Sequence, residues 1–258
     1  IYYDLKKFLP HINTYTIKTK DLTIWKNRIS NWKEKYPVCL SEYYDRKDSV
    51  NPYVFMNELS KKTKDNDIII TDTGATLTWT MQAYKIRHKQ KLFSAFNHSP
   101  MGYALPASIG SQFADNNNRV ICITGDGGMN INIQELETVV YNSLPIKIFV
   151  MCNNEYGMIK ITQDTWLNSK YTASDPNSGL GFPDLSRIAK AYDLNVIDID
   201  NHSELHYIDY ILDYDGHIFC NVNIKQCEQI LPKLVFGKPI EDMAPLLERE
   251  EFEEIMKN

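Results

Sequence analysis

The sequence predicts an α/β fold: a doubly wound, mostly parallel sheet with helices on both faces. Three observations carry that expectation. Short apolar, β-branched runs recur at residues 68–71, 120–124, 146–151, 196–199 and 217–222, each the length of a buried strand. Stretches with apolar residues at helical spacing separate them, so strand and helix alternate. Glycines stand just past the ends of the runs at 68–71 and 120–124, where a chain leaving a sheet can approach a ligand closely.

Composition narrows the function classes. With 258 residues and a hydrophobic fraction of 43%, the chain can fill one large core, or one domain plus part of another. A formal charge of −5 argues against nucleic acid as a partner. No apolar run has the length of a membrane span, and no signal peptide is visible. Cys39, Cys122, Cys152, Cys220 and Cys227 form neither a CxxC nor a His-paired zinc pattern, so reduced thiols and a cytoplasmic location are expected. The first residue is Ile, which leads us to expect a fragment or a processed chain.

In chain order, residues 1–47 are rich in Lys, Tyr and Trp. A helix is expected to end at Pro10, and Trp25, Ile29 and Trp32 mark a second helix closed by Lys35-Tyr36-Pro37. Their Trp stripe reads as packing. Residues 52–62 read as a helix, 68–71 as a strand, and 77–87 as the helix after Asp72-Thr73-Gly74-Ala75-Thr76. Residues 92–96 read as a strand, followed by the loop 97–107. The central stretch, 120–158, predicts strand, amphipathic crossover helix (Ile133, Leu136, Val139 and Val140 on one face) and strand. Residues 159–175 are polar, and 175–181 are expected as a mobile loop. A helix starts near Phe182-Pro183-Asp184 with Leu185, Ile188, Ala189 and Tyr192 inward, and another spans 205–212. The charged run at 248–254 reads as a solvated helix face.

The crossover brings Gly125-Asp126-Gly127-Gly128 and Asn153-Asn154-Glu155-Tyr156-Gly157 to neighbouring strand tips. Asp126 offers an anionic oxygen, Asn154 an amide oxygen and Tyr156 a backbone carbonyl, a set that suits Mg²⁺ with room left for phosphate oxygens. The glycines leave N–H groups free to face a pyrophosphate. The plainer reading is a turn glycine pair and a strand-end Asn pair. Gly74, Ala75 and Thr76 form a second such junction, for which a simple N-cap is the alternative. Met101 and Tyr103 could equally be core residues.

Residues 125–127, then 25 residues, then Asn153-Asn154 resemble the thiamine-diphosphate signature of the pyruvate decarboxylase and acetolactate synthase superfamily. Asn97 to Ala107, with Met101-Gly102-Tyr103 and Leu105-Pro106-Ala107, resembles that family's loop-to-helix, and Gln134-Glu135-Leu136 adds to the acetolactate-synthase-like likeness. The resemblance implies the thiamine-diphosphate-binding fold. It implies that Asp126, Asn154 and the Tyr156 carbonyl hold Mg²⁺. Gly74, Ala75, Thr76, Gly125, Gly127, Gly128, Gly157 and Met158 then contact the cofactor, while Trp79 packs. The Ser99 carbonyl meets the 4′-amino group, and Met101 wedges beneath the bent cofactor. Ser99 stands where the family usually has Gly, and Pro100 is also unusual.

The same resemblance divides the chain into residues 1–50, the end of a middle domain and linker; 51–236, the cofactor domain; and 237–258, a C-terminal tail. The activity implied is decarboxylation of a 2-oxo acid with carboligation, by a homodimer or homotetramer. The activating Glu lies on a pyrimidine-binding domain contributed by a second subunit. The chain has no such domain, Glu135 and Glu137 face the wrong end of the cofactor, and the catalytic acid is therefore unknown. Alone, the chain is expected to turn over nothing. FAD is compatible with the family but unsupported by any residue. Alternatives are a 2-oxo acid decarboxylase or lyase, a sugar-pathway enzyme using the same cofactor, and a non-enzymatic Rossmann-like scaffold.

Overall fold

The computed structural model describes residues 4–15 and 20–257, in two compact units, Ile1–Pro37 and Val38–Asn258. Residues 1–3 and 16–19 of the expected linker, and 258 of the tail, lie outside the described residues. In the first unit, helix α1 (Leu5–Ile12) starts at Asp4, whose carboxylate accepts the Lys6 N–H at 2.8 Å. It runs past Pro10 instead of ending there; in so short a helix the proline removes a single i→i−4 bond. Helix α2 (Thr23–Lys35) ends before Tyr36 as expected, and Trp25 packs edge-to-face on Trp32 at 5.7 Å.

The second unit begins thirteen residues before the boundary expected at 50/51, because residues 38–50 are tied to the cofactor domain. Val50 bridges to Ile224, Tyr43 stacks on Tyr53, and Asn57 donates to the Tyr44 hydroxyl. Helix α3 (Pro52–Lys62) is capped by the Asn51 side chain, with Pro52 in the first turn, where its missing N–H costs nothing. Next come β1 (Ile68–Thr71), α4 (Ala75–Ala83), β2 (Lys91–Phe93), α5 (Ala104–Ala114), β3 (Val120–Gly125), α6 (Asp126–Ile131), α7 (Glu135–Tyr141) and β4 (Lys147–Cys152). The unit continues through α8 (Gly157–Trp166), α9 (Leu185–Ala191), β5 (Asn195–Ile199), α10 (Tyr207–Asp213), β6 (Ile218–Asn223) and α11 (Arg249–Lys257).

The six strands form one sheet in the order β2-β1-β3-β4-β6-β5, every pairing parallel. Alternation along each strand explains the uninterrupted apolar runs. Ile69, Ile121, Ile123, Phe149 and Met151 face one way, under α3, α4 and α10. Ile68, Ile70, Val120, Cys122, Ile148 and Val150 face the other, under α5, α7 and α9. Both faces are covered, so no strand needs a polar side. Each fully buried aliphatic side chain contributes about 1.5–3 kcal/mol. The cysteines, including buried Cys122 and Cys220, are free thiols.

Several boundaries differ from expectation for local reasons. α4 starts at Ala75 because Gly74, at φ 79°, turns the chain directly into the helix. It ends at Ala83, where Tyr84 turns extended and its hydroxyl meets Thr63 and Gln90. The single crossover helix is two, α6 and α7, broken near Asn132, whose side chain donates to the Gly102 carbonyl instead of facing solvent. β2 is shorter than expected, and α10 starts after a 3₁₀ turn at His202–Glu204. Residues 175–181, expected as a mobile loop, begin with a 3₁₀ turn, Pro176–Ser178, closed by a capping box between Asp175 and Ser178.

Candidate functional site

The sheet order reverses between β1 and β3, and a cleft opens there at the carboxyl ends of β1, β3 and β4. It encloses about 240 Å³. Three helices begin at its rim: α4 after Gly74, α6 after Gly125 and α8 after Tyr156. Among the described residues none of the three has an N-cap side-chain bond, as is also true of α2, α5, α7 and α10, while α3 and α9 are capped by Asn51 and Asp184. Uncapped first turns leave N–H donors and the positive ends of helix dipoles aimed into one space, the arrangement that receives anionic oxygens.

Asp126 sits among them, 3% exposed. Its carboxylate accepts N–H bonds from Gly127 (2.7 Å), Asn154 (2.7 Å) and Asn153 (3.1 Å), which lash the tip of β3 to the tip of β4. Burial pushes the carboxyl up to about 6; the three N–H donors work against that, and Glu155 nearby adds to it. Among the described residues no three His, Cys, Asp or Glu side chains converge as a metal group, so any cation here takes amide and carbonyl oxygens as well.

Glycines are required where the walls touch. A Cβ on Gly127 would stand 2.4 Å from the Tyr156 ring and 3.1 Å from the Met101 methyl; one on Gly128 would stand 2.7 Å from Asp72 Oδ2. Beside Gly74 the space is open. The Tyr156 ring also packs edge-to-face on Phe182 at 5.9 Å.

Twelve of the thirteen residues marked from sequence line this cleft: Gly74, Ala75, Thr76, Ser99, Met101, Gly125, Asp126, Gly127, Gly128, Tyr156, Gly157 and Met158. Ser99 adopts φ 43°, a conformation that suits the glycine usual at this position. Asn154 is the exception. Its backbone takes φ 54°, and it lines a neighbouring polar cavity that Asp126 also lines, with Pro183, Asp184 and Arg187, while Asn153 lines the cleft with its amide engaged by Glu155. The Tyr156 carbonyl is engaged by the Lys160 N–H at 2.9 Å in the first turn of α8. Glu135 and Glu137 do not line the cleft, and Trp79 is buried with its indole N–H on the Gln229 carbonyl.

Asp72, Thr73, Asn153 and Glu155 also line the cleft and were not marked from sequence. Glu155 belongs to a buried charge cluster in which Lys160 Nζ lies 3.1 Å from Glu155 and 2.6 Å from Asp175. Glu155 also accepts the Cys227 N–H at 2.7 Å, joining the C-terminal segment to the cleft. Burial opposes the charge on Lys160, but hydrogen bonds to Asp175 and Glu155 outweigh it and hold the ammonium above its usual range. α8 itself was missed because residues 159–175 read as polar; Met158 and Ile161, three apart and packed inward, are the signal that marks it.

The family described as thiamine pyrophosphate enzyme, C-terminal TPP binding domain, matches residues 72–222. The chain is similar to the acetolactate synthase large subunit of Pyropia yezoensis, 31% identical over 83% of this chain and 35% of that protein. The corresponding subunit of Cyanidium caldarium is 32% identical over 86% of this chain and 37% of that protein. Acetolactate synthase 2, chloroplastic, of Zea mays is 27% identical over 93% and 39%. The chain thus spans about a third of the length of the curated relatives it matches.

Proposed function

The chain belongs to the thiamine pyrophosphate enzyme family as its C-terminal TPP-binding domain, of the acetolactate-synthase-like kind, and on that basis we propose that the cleft holds Mg²⁺ and the diphosphate of the cofactor. The observation that carries this is a buried carboxylate, Asp126, with no cationic hydrogen-bond partner among the described residues, beside three helix starts that lack an N-cap side-chain bond. A divalent cation supplies the missing positive charge, and the N–H groups after Gly74, Gly125 and Tyr156 receive phosphate oxygens.

Asp126 is the anionic ligand. Asn154, whose N–H meets the Asp126 carboxylate at 2.7 Å and which lines a polar cavity with it, supplies the amide oxygen, and the Tyr156 carbonyl the third ligand, while the Asn153 amide is taken up by Glu155. The Ser99 carbonyl and Met101 orient the aminopyrimidine, and the Tyr156 ring with Phe182 shields the cleft from water.

When bound, thiamine diphosphate supplies the electron sink for breaking or making a bond next to a 2-oxo acid carbonyl. The proposed activity is decarboxylation with carboligation, a transferase or lyase reaction. It is completed by an activating Glu on the pyrimidine-binding domain of a second subunit in a homodimer or homotetramer, so this chain by itself binds but does not turn over. The free thiols fit a reducing compartment, with the cytoplasm as the proposed location. Among the described residues no helix is long and apolar enough to cross a membrane.

Calorimetry with thiamine diphosphate, with and without Mg²⁺, tests the site. Wild type is expected to bind only with the metal, and Asp126→Ala to lose binding. Asn154→Ala is expected to weaken it about tenfold or more, roughly 1.4 kcal/mol, and Asn153→Ala less. Equal heats for wild type and Asp126→Ala would sink the reading. The opposite order of the two asparagines would move the amide role to Asn153.

A further inference from the structure

Asp72, at the tip of β1, is 1% exposed and hydrogen-bonded by its neighbour Thr73 and by groups from two other cleft segments. Its Oδ1 accepts the Thr73 N–H at 2.8 Å; both oxygens share the Gly102 N–H, at 3.1 and 3.2 Å; and Oδ2 accepts the Thr124 hydroxyl at 2.9 Å. The far side of the Gly102 residue is also held, since Asn132 Nδ2 donates to the Gly102 carbonyl at 2.8 Å. Gly102 has φ 82°, and a Cβ there would stand 2.8 Å from Ile131 and Asn132. Gly102 is therefore pinned by its N–H to β1, by its carbonyl to the end of α6, and by shape to both. Met101, the residue before it, has no such anchor of its own and is 36% exposed at the cleft.

We propose that Asp72 is a positioning residue: with Asn132 it clamps Gly102 and so sets Met101 against Gly127, fixing the part of the cleft that takes the heterocyclic end of the cofactor rather than its diphosphate. This rests on the cofactor reading above. The chemistry favours a carboxylate here, because its two oxygens accept from the adjacent Thr73 and from two other segments, where a neutral amide has one acceptor oxygen. Burial holds the Asp72 carboxyl above its ordinary range, as expected of a group kept for its acceptors and not for its solvation.

The test compares two probes on the intact chain with Mg²⁺: thiamine diphosphate, and inorganic pyrophosphate titrated as its competitor. Asp72→Ala is expected to weaken thiamine diphosphate about tenfold or more while leaving pyrophosphate within about twofold. Asp72→Asn, which keeps one oxygen for the Gly102 N–H, is expected to recover most of the loss. In a Met101→Ala background the Asp72→Ala effect should largely vanish. Parallel loss of both probes, or an undiminished effect without Met101, would overturn the clamp and leave the cofactor site standing. If wild type binds neither probe, the cofactor reading itself has failed. Should Asp72→Ala not fold by circular dichroism, Asn132→Ala carries the same expected split between probes, and equal losses there overturn the proposal.

Discussion

Asp126 meets two opposed demands. Buried, it resists ionisation, and its carboxyl is pushed from 3.8 up to about 6. To serve as the metal ligand proposed above it must be ionised. Between about pH 4 and 6 the folded apo-chain holds a proton that the unfolded chain has released. Asp126 therefore contributes roughly 3 kcal/mol that is present below about pH 4 and lost as pH rises through about 6. Urea titrations of wild type against Asp126→Asn should show this difference, which disappears if the carboxylate is solvated. Mg²⁺ competes with the same proton. Affinity for metal and cofactor is expected to rise about tenfold per pH unit up to about 6 and then level off, read by calorimetry.

At the scale of elements, α8 and the loop before it are held by charge as well as by apolar packing. Lys160 on α8 joins Glu155 in the cleft wall and Asp175 in the turn beyond, with side chains 7%, 1% and 7% exposed. The Lys160 ammonium also lies 4.9 Å from the Tyr171 ring centroid. Lys160→Met leaves two carboxylates facing each other without a cation, and is expected to cost about 3–5 kcal/mol in urea unfolding, with Lys160→Arg costing less. A loss well under ~1 kcal/mol would mean that water reaches the cluster through the cleft. At the starts of α4, α6 and α8 no N-cap side chain occupies the donors that the proposed diphosphate would use.

At the scale of the whole chain, every residue lining the cleft lies in the unit Val38–Asn258. A chain starting at Val38 is expected to bind Mg²⁺ and thiamine diphosphate within about twofold of the full chain, less than ~0.5 kcal/mol, by calorimetry. Loss of binding would show that residues 1–37 complete the site.

The sequence alone determined the parallel sheet, because strands buried on both faces must be apolar at every position, as at 68–71 and 120–124. It also determined the cleft glycines and Asp126, because residue type at a strand tip is local information. Tertiary structure decided what depends on which way a backbone turns after a strand. The Asn153-Asn154 pair, with a positive φ at Asn154, is divided between two cavities that share Asp126, and no spacing rule reads that dihedral. It also decided the partners of Asp72, which lie 30 and 52 residues away along the chain. Sequence pattern reports which face a residue prefers, whereas a hydrogen bond across segments exists only once the sheet has brought their ends together.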